Sequence, residues 1–80
     1  MMKLTYDPKY NVAYIRLRET TTQVETLHLS EELNVDIGPD GTVYGIELLN
    51  ANEQLKTDAK SSLVVVNEAS GESVTIPLAI

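Results

Sequence analysis

Apolar and polar residues alternate with a period of two along most of the chain, and turn residues interrupt the alternation about every ten positions. That pattern predicts short strands joined in a meander. Residues 2–6 form the first, and Asp7, Pro8 and Asn11 supply the turn that follows. Residues 12–18 form the second, with Ala13, Ile15 and Leu17 on one side and Val12, Tyr14, Arg16 and Arg18 on the other. Residues 23–29 read as a third strand. If Arg18 pairs with Gln23, then Arg16 falls opposite Glu25 and Tyr14 opposite Leu27, although both faces of that pair stay mixed.

The sharpest element is a hairpin of residues 33–37 and 42–48 around Gly38-Pro39-Asp40-Gly41. Pairing Ile37 with Thr42 sets Val35 opposite Tyr44 and Leu33 opposite Ile46, and gathers Asn34 and Asp36 on the other face. In that register Glu32 opposes Glu47, a like-charge contact that should end the ladder. Beyond Leu49 the period changes. Asn52 can cap a short helix running to about Lys60, with Glu53 in its first turn and Leu55 and Ala59 as a thin apolar stripe. Residues 63–66 are a continuous apolar run, a strand buried or covered by a partner, and residues 72–78 alternate again up to Pro77. The expected fold is therefore α+β and mainly β: one domain over residues 1–80, an antiparallel sheet of four to six strands and one short helix.

Several of these residues resemble a known family. Tyr6-Asp7, the run from Ala13 to Leu17, Val35-Asp36, Asp40-Gly41 and above all Gly45-Ile46-Glu47-Leu48-Leu49-Asn50-Ala51 are similar to the bacterial YuzE-like family, the domain of unknown function numbered 2283. The resemblance covers about residues 3–55 and leaves 56–80 as a C-terminal extension, either an added hairpin or an assembly element. It carries over no catalytic residues. Some members of that family lie beside genes for small basic toxins, which implies an antitoxin-like role.

Composition narrows the classes of function. A chain of 80 residues has a thin core and commonly needs a disulfide, a metal or a partner subunit. There is no cysteine and a single histidine, so self-association, with a dimer favoured, is the expected staple, and no cofactor is expected. A formal charge of −6 disfavours nucleic acid and suits a basic protein partner. No apolar run approaches a membrane span and no secretory pattern opens the chain, which makes a cytoplasmic, soluble protein the expectation.

Candidate chemistry is sparse. Asp36, Asp40, Gly41 and Glu47 fall at four positions of a calcium-loop pattern, but Gly38 occupies a ligand position and both flanks read as strands. Asp36 and Glu47 share a face without a cleft to make them an acid–base pair. His28, Ser30 and Asp36 lack the glycine-rich elbow of a serine hydrolase, and a half-buried strand histidine is the simpler reading. Of the four tyrosines, Tyr14 and Tyr44 suit cross-strand packing, and Tyr6 and Tyr10 are candidate interface aromatics. The expectation is a non-catalytic binding or regulatory module with Asn34, Asp36 and Glu47 as its partner face. The alternatives are a small carboxylate- or metal-dependent hydrolase using Asp36, Glu47 and His28, and a structural or ligand-binding subunit of a homo-oligomer.

Overall fold

The structure, a computed structural model, describes residues 1–56 and 61–80. Among these, seven strands and one short helix follow in the order β1 (Lys3–Asp7), β2 (Val12–Arg16), β3 (Glu25–Ser30), β4 (Leu33–Ile37), β5 (Val43–Leu49), α1 (Ala51–Leu55), β6 (Ser62–Val66) and β7 (Ser73–Pro77). The protein is mainly β, as the alternation predicts. β1 to β5 form an antiparallel sheet in the order β1-β2-β5-β4-β3, and β6 and β7 form a separate two-stranded sheet. No helix among the described residues is long and apolar enough to cross a membrane.

Strand order departs from a simple meander. β3 does not pair with β2, so the expected Arg18–Gln23 register is corrected: β2 lies between β1 and β5, and β3 occupies the far edge against β4. β2 to β5 thereby make a Greek key. The physical reason is the sorting of faces. Against β5, Ala13 meets Leu48 and Ile15 meets Ile46, and the row continues through Leu33 and Val35 on β4 and Leu27 on β3. One face becomes largely apolar, interrupted on the β3 edge by Glu25, whereas pairing β2 with β3 would have left both mixed. Residues 17–24 cross the tip of the β4–β5 hairpin, where the Arg18 guanidinium stands 6.0 Å from the Tyr44 ring.

The β4–β5 hairpin forms with its register two residues away from the expected one. Val35 pairs with Ile46, Asn34 with Glu47 and Leu33 with Leu48, and a bulge between Asp36 and Ile37 accommodates Tyr44. The two-residue shift keeps Leu33 to Asp36 and Gly45 to Glu47 on their expected faces, while the bulge brings Val43 opposite Ile37. It also separates Glu32 from Glu47: the Glu32 carbonyl accepts from the Leu49 N–H, and Asn34 takes the place opposite Glu47. Gly38 closes the turn by donating to the Thr42 carbonyl, and the Tyr44 ring sits where a Cβ at Gly38 would be.

Helix α1 starts one residue before the expected cap. Asn50 adopts the left-handed conformation at φ 54°, and Asn52 lies inside the first turn beside Glu53. The capping oxygen comes from elsewhere in the chain. Asn11, itself at φ 56° in the β1–β2 turn, accepts the Asn52 N–H through Oδ1 at 2.9 Å, and its carbonyl accepts from Ala51. The expected extension of this helix through Ala59 to Lys60 lies outside the described residues. Leu63 to Val66 form a strand as expected, but within one chain that strand is exposed rather than buried.

Candidate functional site

Strand alternation gives the five-stranded sheet two unlike faces. Leu4, Tyr6, Ala13, Ile15, Leu33, Val35, Ile46 and Leu48 share the apolar face, and α1 closes part of it. The opposite face carries two transverse rows. One runs Thr5, Tyr14, Glu47, Asn34, His28, and its neighbour runs Lys3, Arg16, Gly45, Asp36, Thr26.

These rows bond to one another across the strands. Asp36 is the hub of one group. Its Oδ2 accepts from the Tyr14 hydroxyl at 2.7 Å and its Oδ1 from Thr26 Oγ1 at 2.6 Å. The Tyr14 ring reaches Asp36 by crossing over Gly45, filling the space that any Cβ there would need. Glycine is thus required at position 45 by close approach. Burial, then the Asp36 hydrogen bond and its negative charge, push the Tyr14 phenol up to about 12. The Arg16 guanidinium lies 5.5 Å from the same ring and opposes that shift.

Glu47, Asn34 and His28 make the second group. Asn34 Nδ2 donates to Glu47 Oε1 at 2.8 Å, and His28 Nδ1 faces Asn34 Oδ1 at 2.7 Å. A carboxylate only accepts, so it fixes the amide orientation, and the amide oxygen in turn requires the proton on His28 Nδ1. His28 is exposed rather than half-buried, since β3 is an edge strand.

The structure therefore places Asn34, Asp36 and Glu47 on one face and joins them to Tyr14, Thr26 and His28. Tyr14 and Thr26 escape the sequence reading. Tyr14 was expected to pack across to β3, and its link to Asp36 depends on β2 lying beside β5. The other groupings do not assemble. Ser30 Oγ accepts the Glu32 N–H in the β3–β4 turn, away from Asp36. Asp40 accepts the Thr42 N–H at 3.0 Å at the hairpin tip, and the Thr42 hydroxyl, then that N–H, hold its carboxyl below the usual value. Among the described residues no group of three His, Cys, Asp or Glu side chains is placed to hold a metal ion. Tyr6 and Tyr10 part company: Tyr6 lies on the apolar face with its hydroxyl 3.4 Å from Asn11 Oδ1, and Tyr10 stands exposed in the β1–β2 turn beside the Lys9 ammonium.

Chemically, the face is an array of fixed acceptors. Both carboxylates are held by neutral donors, which orient them and leave their negative charge uncancelled by those bonds.

Comparison with curated proteins and with solved structures returns no match. A family model does match, over residues 3–52, from the first residue of β1 into the first turn of α1. It spans every residue of the polar face and stops short of β6 and β7. The chain belongs to the family described as protein of unknown function DUF2283.

Proposed function

We propose that this chain is a non-catalytic binding module whose polar sheet face engages a basic protein, with an antitoxin-like role as the most concrete form. One observation carries the reading: Asp36 and Glu47 are oriented on rigid, doubly paired strands by Tyr14, Thr26 and Asn34. Pre-oriented carboxylates suit the forked donors of arginine, and a net charge of −6 adds long-range attraction for a cationic partner. The same bonds weigh against acid–base chemistry. A phenol pushed up to about 12 gives up its proton poorly near neutral pH, and both Asp36 oxygens already accept hydrogen bonds.

The test uses an arginine-rich peptide as probe and titration calorimetry at two salt concentrations. Asp36→Asn with Glu47→Gln should weaken binding about tenfold. Glu68→Gln with Glu72→Gln removes the same charge at the β6–β7 tip and should change it less than about twofold. Equal losses from the two pairs would reduce the effect to net charge and overturn the reading.

A further inference from the structure

The apolar side of the molecule is unfinished. In the β6–β7 hairpin, Leu63 pairs with Ile76 and Val65 with Val74, so these four share one face. They are 43%, 43%, 51% and 61% exposed. The other face mixes Val64 and Val66 with Ser62, Ser73 and Thr75. No charged residue occurs in either strand, and β6 has no proline, so its outer edge lacks the devices that normally block pairing. A lone two-stranded hairpin is marginal in water.

The hairpin face continues into the apolar face of the main sheet. Leu63 lines a cleft of about 420 Å³ with Leu4, Ile15, Leu55 and Leu78. Ile76 lines a second, of about 440 Å³, with Leu4, Tyr6 and Leu78. The main sheet's own core is thin: among the described residues Ala13 and Ala51 are the apolar side chains fully enclosed, and no large side chain is. The radius of gyration is 14.2 Å, against about 12 Å for a compact chain of this length. The chain leaves open the surface that a core would bury.

We infer that a second copy of this chain closes it, in a two-fold dimer whose contact surface is Leu63, Val65, Val74 and Ile76 together with the clefts beside Leu4 and Tyr6. Three observations choose a second copy. The hairpin face carries no charge, and Lys3 is the one charged side chain among the cleft-lining residues, too little to select a charged partner; charge-poor apolar surfaces typify homodimer cores. The hairpin face's four exposed apolar side chains offer about 350 Å² per copy, and the apolar walls of the two clefts bring that to about 500 Å², so a pair buries about 1,000 Å², the lower bound for a specific interface. Each copy also brings the same unfinished surface, and a two-fold contact satisfies both at once.

Light scattering on the full chain during size-exclusion chromatography reads the outcome directly. The expected mass is twice 8.8 kDa, falling toward the monomer on dilution. Val65→Thr with Val74→Thr keeps β-branched shape and should shift the midpoint for dissociation upward by about tenfold or more. Val64→Thr with Val66→Thr, on the reverse face, should shift it by less than about threefold. A native chain that stays monomeric at about 500 μM would overturn the proposal, as would open-ended assembly in place of a dimer. Equal loss from both variant pairs would overturn the assigned face. Should the first pair fail to fold, the dilution series of the native chain and the reverse-face pair still decide the matter.

Discussion

Tyr14 shows how one side chain can be legible in composition and illegible in role. Its alternation places it opposite Ala13 and Ile15, and that much follows from period two. Its partner Asp36 lies far along the chain and is brought to it only because β5 separates β2 from β4. No local pattern encodes that contact. The one local trace is Gly45, whose missing Cβ gives the ring its passage, but a strand glycine has several other readings. The geometry makes a spectroscopic prediction. Tyrosinate absorbance of the native chain minus that of Tyr14→Phe isolates the Tyr14 titration, with a midpoint of about 12. Asp36→Asn should lower it part of the way toward 10, because burial, the largest cause, remains. The folded value lies above the unfolded one, so this phenol's stabilising contribution is complete below about pH 10 and lost as pH rises through about 12. A midpoint unmoved by Asp36→Asn would mean that the carboxylate does not govern the ring.

Among the elements, those set by alternation and turn chemistry are readable, and those set by distant partners are not. β4 matches its expected bounds, and β5 is displaced by one residue at each end, because glycine, proline and aspartate mark the tip between them. The bulge at Tyr44 was hidden: it inserts one residue, and together with a connection one residue longer than expected it offsets the register by two. Helix α1 was expected to cap itself through Asn52, yet Asn11 performs that task from the β1–β2 turn. Asn11 also donates Nδ2 to Asn52 Oδ1 at 2.7 Å and to Asn50 Oδ1 at 3.2 Å, pinning the helix to the sheet. A helix this short has little stability of its own. Asn11→Gly preserves the positive φ and removes the side chain, and should cost about 1–2 kcal/mol in urea unfolding. Asn11→Ala adds backbone strain and should cost about 1 kcal/mol more. If the glycine variant proves as stable as the native chain, the cap contributes nothing.

For the whole molecule, the sequence sets the amount of apolar surface but not its closure. Counting residues and cysteines shows that an 80-residue chain needs support. Only the structure shows that the deficit lies on one side, along the hairpin face and the clefts beside Leu4, while on the polar face opposite Tyr14, Thr26, His28, Asn34, Asp36 and Glu47 are bonded to one another. The two sheets should then differ in local stability. β2, β5 and β4 are each paired on both sides, β1 and β3 form the edges, and β6–β7 stands apart with both faces wet. Amide exchange should be slowest in the three central strands. In dilute protein the β6–β7 amides should exchange far faster than those of β5, because opening the hairpin exposes little apolar surface that water does not already touch. Raising the protein concentration should slow β6–β7 selectively, since association stabilises what it covers by mass action. β5 should respond less, because its opening is already limited by pairing on both sides. Exchange in β6–β7 that is as slow as in β5 and indifferent to concentration would show that the chain completes its core alone, and the apolar side would then need no partner.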